Sequence, residues 1–327
     1  MQLTDLEVIK QAQQWLKNGK DIWLCTILNT YGSAPRPIGS IFVTDGVTRS
    51  GSISGGCLED AFIELIKVQR FTKPAEIFSY GDHANEQDIV KELPCGGTIQ
   101  LLVEYIPANT NNSAHIDDLL ALANEKLPFI REVNLLSPDK TVKHNSQESC
   151  AQVSISESLV TLAYAQVWTV LIIGIGQVSH HVAQLSLMSG FEVKICDMRK
   201  ELSPTWKFDH RHGGIDITWQ SPDLFVEQNA TTRSAVLALA HDPKIDDVAL
   251  MSVFDTQAFY IGAMGSKRTT NNRLERLSRI CDLSANKLAR LHAPIGLHIG
   301  SKTPMEIAIS ILADVIRVKN KVNKQDI

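Results

Sequence analysis

The chain has 327 residues, 44% of them hydrophobic and 21% charged, with a net charge of −4. That length predicts two domains, each able to bury a core, and the acidic balance without a long Lys/Arg block excludes a nucleic-acid surface. No apolar run reaches the ~18 residues of a membrane span. The start, MQLTDLEVIKQAQQWLK, has no basic segment before an apolar stretch, so no signal peptide is expected. Six scattered cysteines without a CxxC pair then read as reduced thiols of a cytoplasmic protein.

Residues 4–17 predict an amphipathic helix. Thr4 and Glu7 read as a capping box, Val8, Ala12, Trp15 and Leu16 share one face, and Gly19 ends the helix. A strand over 22–28 follows, then a turn-rich segment, YGSAPRPIGS, and short strands at 40–44 and 48–52. Gly55-Gly56 is expected to open a helix reaching about Arg70, and strands at 76–80 and 98–105 complete a small mixed sheet. Residues 108–113 are Asn-rich and polar, a loop or linker. Between 115 and 166 a helix at 117–124 and strands at 129–135, 151–155 and 159–163 are expected, in a connecting region. The domains read as 1–107, 108–166 and 167–327.

From Trp168 the pattern is regular. WTVLIIG is an apolar strand, 177–188 a helix and 192–196 the next strand. Strands at 215–219, 234–240 and 258–261 alternate with helices. This is an α/β fold: a C-terminal Rossmann-like, doubly wound parallel sheet beside a smaller N-terminal α+β domain. The last helix starts at Thr303, with Pro304 in its first position and Glu306 closing a capping box.

Five groups of residues could carry chemistry. Gly174, Gly176 and Ser179 lie between a buried strand and a helix, where a glycine turn lets a diphosphate approach the helix N-terminus. Gln177 opens that helix, and Ser179 stands in place of the third glycine, loosening the packing of helix on strand. Asp197 follows 21 residues after Gly176, where a ribose hydroxyl would be held. Gly265 and Ser266 precede Lys267 and Arg268 at a helix start, where cations oppose the dipole unless an anion sits between. Ser54, Gly55, Gly56, Cys57 and Glu59 form one glycine–cysteine arm, with Cys57 expected in a first helical turn that favours the thiolate. Cys95, Gly96 and Gly97 form the other. Ser33 and Arg36 lie in a proline-stiffened loop suited to an anion. His241 sits at the carboxyl edge of the parallel sheet, where such folds bind ligands. The histidine pair His180 and His181 reads as surface. No histidine has zinc-site spacing, and there is no GxSxG, HExxH or Walker lysine.

Several segments together resemble one family: YGSAPRPIGS, SGSISGGCLED, PCGGTIQLLVE, the Gly174–Ser179 turn, AHDPKIDD, YIGAMGSKR and HAPIGLHIGSKTPMEIAISILAD. The chain is similar to XdhC/CoxI-type proteins, the xanthine dehydrogenase accessory factors. The resemblance implies a molybdenum cofactor (molybdopterin) chaperone with no turnover of its own. It would protect the cofactor during sulfuration by a cysteine desulfurase and deliver it to a xanthine dehydrogenase-type molybdenum hydroxylase. It places binding on Ser33, Pro35, Arg36, Gly55–Cys57, Glu59, Cys95–Gly97, the Gly174 turn, Gly265, Ser266 and Arg268. Many members carry His where Gln177 stands. Cys57 and Cys95 are the candidate molybdenum contacts or sulfur relays. Two other classes use the same residues: an NAD(P)-dependent oxidoreductase, with a nucleotide in the Rossmann-like domain, and a persulfide-carrying sulfurtransferase. A homodimer is the default assembly.

Overall fold

The computed structural model describes residues 3–31, 36–56, 58–81, 97–145, 152–208, 214–281 and 283–326. The chain divides into two compact units, Met1–Gln166 and Val167–Ile327.

The first unit runs α1 (Leu3–Lys17), β1 (Ile22–Tyr31), β2 (Ile41–Thr44), β3 (Arg49–Gly51), α2 (Glu59–Lys67), β4 (Ala75–Tyr80), β5 (Thr98–Ile106) and α3 (Thr110–Asn124). It continues through β6 (Phe129–Asn134), β7 (Lys140–His144), β8 (Val153–Ile155) and β9 (Leu159–Tyr164). Among the described residues, one sheet has the order β3-β2-β1-β5-β4 and another β7-β6-β9-β8. Central β1 is covered on both faces. Ile22, Leu24 and Leu28 join the core of α1, α3 and the second sheet, while Cys25 and Ile27 join Phe62, Ile66 and Phe78 beneath α2. A strand alternates its side chains, so both sides must be apolar, as its sequence is. On the α3 side one carboxylate is buried as well. Glu104 takes two hydrogen bonds from Arg131, at 2.7 and 2.8 Å, and Arg131 Nε donates to His115 Nε2 at 3.1 Å. Both partners of the ion pair are at most 1% exposed.

The second unit runs β10 (Thr169–Ile173), α4 (Gln177–Met188), β11 (Glu192–Cys196), β12 (Ile217–Thr218), α5 (Pro222–Asn229), β13 (Ser234–Ala238) and α6 (Pro243–Val253). Then follow β14 (Tyr260–Ala263), α7 (Lys267–Cys281), α8 (Ala285–Leu288), β15 (Leu291–His292) and α9 (Pro304–Lys319). Its sheet has the order β12-β11-β10-β13-β14-β15, and every pairing is parallel. Counted within the unit this is 3-2-1-4-5-6, the doubly wound order. Val170 and Ile172 pack into one core with Val182 and Ile311, and Leu171 and Ile173 into the opposite core with Phe225 and Leu250. The capping box at Thr303 and Glu306 is present. Further along α9, Asp314 accepts from Tyr260 (2.8 Å), His292 (3.1 Å) and Arg317 (2.8 Å), tying the helix to β14 and the edge strand β15.

The structure departs from the sequence reading in several places. The first sheet is antiparallel throughout, not mixed, because its strands are joined by hairpins and a return across α2, without a parallel crossover. Thr4 lies inside α1 and Glu7 pairs with Lys10 at 2.8 Å, so no capping box forms there. The Asn-rich run is a helix start: the Asn109 side chain accepts from Asn112 N–H at 2.9 Å, and Asn is a strong N-cap for a physical reason, its short acceptor. α3 and β6–β9 therefore pack within the first unit, sharing the core of α1.

Removing one member of a buried ion pair leaves the other desolvated and unpaired. Glu104→Ala is expected to destabilise the first unit by about 3–5 kcal/mol, read as a shifted urea midpoint in far-UV circular dichroism. A midpoint like the wild type would mean the Arg131 charge finds water.

Candidate functional site

Register brings three loops of the first unit to one end of its sheet. Tyr31 pairs with Thr98, and Tyr80 with Ile99. β3 ends in the same direction at Gly51, opposite Phe42. The loops carrying Arg36, residues 52–58, and Gly97 all leave from there. Ser33, Cys57, Cys95 and Gly96, named from the sequence, lie outside the described residues.

Glu59 shapes the middle loop. Its Oε1 accepts from Ser52 Oγ (2.6 Å), Ile53 N–H (2.8 Å) and Ser54 N–H (3.0 Å), and Oε2 from Ser54 Oγ (2.9 Å). Burial alone would raise this carboxyl, but the hydrogen bonds win and hold it near 2. Glu59 is thus an internal anchor for the loop. It also starts α2, whose N-cap is Leu58; the first-turn placement expected for Cys57 falls outside the described residues. Gly55 and Gly56 stand exposed at φ +83° and +124°, and a Cβ on Gly56 would meet nothing within 4 Å. The backbone there is open to an approaching group. Gly81, at φ +81°, abuts Gly97, whose carbonyl oxygen would lie 2.4 Å from a Cβ.

Tyr80 was not singled out by the sequence. Its ring is 1% exposed and its hydroxyl has no hydrogen-bond partner among the described residues. Burial first, then the neighbouring Cys25 and Glu59, push its ionisation up. A buried hydroxyl without a partner is rare and destabilising. The only hint in the chain was a Tyr-Gly pair ending a strand, as at Tyr31-Gly32. Arg36 is partly exposed and has no ion-pair partner among the described residues.

In the second unit the loops after β10, β13 and β14 stand at the carboxyl edge. Gly174, at φ +92°, lies so close to Ala240 that a Cβ would come within 2.3 Å of its Cα. The fold itself requires that glycine. At Gly176 the φ is extended and a Cβ would meet nothing within 4 Å, so the space there is open toward the N-terminus of α4, which has no acid in its first turn. Ser179 does not loosen the packing. It is 1% exposed and its hydroxyl donates to Gly174 O at 2.7 Å, closing the turn. Gln177 is exposed.

Asp197 is placed differently from expectation. Its Oδ2 accepts Ile175 N–H at 2.8 Å and Arg199 Nη2 at 2.8 Å; its Oδ1 accepts Arg199 N–H at 2.9 Å and Nε at 3.0 Å. These bonds use the carboxylate's four lone-pair positions, leaving none for a ribose hydroxyl. Asp246 does the corresponding work for the next loop, accepting Ala240 N–H at 3.0 Å and Arg273 Nη2 at 3.2 Å. Burial pushes that carboxyl up to about 6. His241 follows in a left-handed conformation, φ +58°, and is exposed; for a non-glycine residue that strain marks a constrained loop. Ser266 Oγ accepts Thr269 N–H at 3.2 Å at the start of α7. Gly265 precedes it at φ +154°. Lys267 and Arg268 are exposed without an ion-pair partner among the described residues. His180 and His181 are partly buried, and His180 packs on Trp206 and Phe208 at 5.6 and 5.2 Å between ring centroids. Among the described residues no group of three metal-ligating side chains gathers.

Each unit therefore offers open glycine backbone and cationic groups without internal partners, an arrangement suited to phosphate and polar ring edges. The same segments recur in known proteins. The model of the XdhC and CoxI family matches residues 15–81 and that of the XdhC Rossmann domain matches residues 170–315. Over 314 residues the chain is 25% identical to the molybdenum cofactor insertion chaperone PaoD of Escherichia coli (strain K12), covering 95% of this chain and 88% of that relative. It is 22% identical to a protein of Bacillus subtilis (strain 168) named as a probable xanthine dehydrogenase component, covering 94% and 96%. A crystal structure described as a xanthine dehydrogenase from Bacillus halodurans superposes with a TM-score of 0.71 at 20% identity, over 98% of this chain and 97% of that one, which establishes the shared fold. No helix of the described residues is long and apolar enough to cross a membrane.

The depressed carboxyl of Glu59 sets a pH dependence. A group held lower in the folded state stabilises it above its ordinary value and loses that contribution as pH falls through the folded value. The stability gap between wild type and Glu59→Gln is expected to be full above about pH 4.5 and to vanish as pH falls toward 2. Thermal melts across that range read it; a gap that does not change with pH would place the anchoring elsewhere.

Proposed function

The chain belongs to the XdhC and CoxI family, and from that premise we propose that it binds molybdenum cofactor, shields it while its molybdenum gains a terminal sulfido ligand, and delivers it to a xanthine dehydrogenase-type hydroxylase. The observation carrying this reading is its similarity, along nearly the whole chain, to a protein named as a molybdenum cofactor insertion chaperone. A cysteine desulfurase is the sulfur source in this scheme, and the protein acts in the cytoplasm as a homodimer.

The residues present suit such a cargo. Molybdenum cofactor is a pterin bearing a dithiolene and a phosphate. The unpartnered hydroxyl of Tyr80 can serve a polar ring edge. Gly55 and Gly56 admit the ligand to the backbone, and Arg36 suits its phosphate. Cys57 and Cys95 supply thiolates to soft molybdenum or carry sulfur to it. Gly174, Gly176, Gly265, Ser266 and Arg268 form the phosphate-binding edge of the second unit in this scheme. A dehydrogenase is the weaker reading, because the acid that would hold an NAD ribose is already committed to Ile175 and Arg199.

Protein purified anaerobically from a cofactor-making host is expected to carry near-stoichiometric molybdenum and oxidisable pterin. Neither, in folded protein that saturates with NAD in calorimetry, would move the assignment to an oxidoreductase. Tyr80→Phe separates binding from folding. It removes a hydroxyl with no bond to the described residues, so stability should hold or rise by up to about 1 kcal/mol, while pterin retention falls several-fold. Full retention in that variant would remove Tyr80 from the site.

A further inference from the structure

At the opposite end of the first unit's sheet lies a groove of about 720 Å³, within the ~300–1,000 Å³ range of small-molecule sites. Trp23 and Tyr105, paired across β1 and β5, contribute to one side. Their ring centroids are 5.0 Å apart and their planes tilted by 44°. The run of β1 from Trp23 to Tyr31, at ~3.4 Å per residue, sets this groove roughly 27 Å from the loops of Arg36 and Gly97. It is a second place on the same unit, and its case does not depend on the cofactor reading above.

The charges of the groove are unbalanced. Lys140 lines it half-buried, its ammonium making no hydrogen bond or ion pair among the described residues, and burial lowers the pKa of that ammonium. Of the nearby acids, Glu104 is already spent on Nη1 and Nη2 of Arg131, Asp21 accepts from the Tyr105 hydroxyl at 2.5 Å and from Ala108 N–H at 2.8 Å, and Asp139, which also lines the groove, is exposed and accepts from Ser137 at 2.7 Å. Lys73 also lines it, exposed. The first turn of α3 reaches the groove through Asn111 and Asn112 and holds no acid, so its positive end is uncompensated. His115 adds a neutral donor. Burial and then Arg131 hold it down to about 3. Because Nε2 accepts from Arg131, Nδ1 carries the proton. A desolvated ammonium without a counter-ion is unfavourable unless an anion joins it. Aromatic rings alongside add a stacking surface for a flat ring.

We propose that this groove binds a phosphorylated planar heteroaromatic molecule of nucleoside monophosphate size, its ring against Trp23 and Tyr105 and its phosphate at Lys140 and the first turn of α3. The full chain is to be titrated by calorimetry with AMP, GMP, CMP and UMP, and in parallel with the free nucleosides and inorganic phosphate. One monophosphate is expected to saturate at one site per chain, with its nucleoside and inorganic phosphate each at least about tenfold weaker. Lys140→Met keeps the stem, removes the charge, and should weaken binding about tenfold or more. Trp23→Leu should weaken it too, and if that variant unfolds, Lys140→Met decides alone. No saturable binding at millimolar concentrations would overturn the proposal. So would wild-type affinity in Lys140→Met, which puts the nucleotide elsewhere, or inorganic phosphate binding as tightly as the nucleotide.

Discussion

Where a strand ends, the backbone N–H groups of the departing loop lose their ladder partners and must find acceptors. Here that need is met three times by a buried carboxylate. Glu59 accepts Ile53 and Ser54, Asp197 accepts Ile175, and Asp246 accepts Ala240. Each acid is at most 1% exposed. A buried carboxylate persists only when its lone pairs are used, so the acid and the loop hold each other. Gly55 and Gly56 follow the residues bound by Glu59, and Gly174 rests against Ala240, so the glycine loops proposed to face a ligand depend on these anchors.

That arrangement separates two kinds of candidate site residue. Glu59, Asp197 and Ser179 spend their polar atoms inside the protein and act by positioning backbone. Tyr80, Arg36, Lys267 and Arg268 have polar groups with no internal partner among the described residues. Only the second kind can offer a new bond to a cargo without breaking an old one. Such contacts suit the chaperone role proposed above, since release then leaves the loops intact.

Much of the second unit was legible because its strands are buried on both faces and read as unbroken apolar runs, as in Val170–Ile173. The glycines at 174 and 176 lie between such a run and an amphipathic helix, and the capping box at Thr303 is a local motif that forms locally. The first unit was harder. Strand direction is not encoded by alternation, so its antiparallel order was not evident. β7, Lys140–His144, is polar and exposed on most positions and carries no periodic signal. The Asn-rich run looked like a linker because Asn serves loops and N-caps with the same side-chain acceptor.

Alone, the sequence determined the doubly wound second unit, the loops that carry glycine, and the family, because these rest on local periodicity and on motifs contiguous in the chain. The tertiary structure decided what each acid does. Whether Asp197 reaches outward to a ribose or inward to Ile175 and Arg199 depends on groups whose distances the chain order does not state. The same holds for the Tyr80 hydroxyl beside Glu59, 21 residues earlier in the chain, and for the Trp23–Tyr105 pair, 82 residues apart. Burial and partner choice are properties of packing, and packing is set by residues distant in sequence.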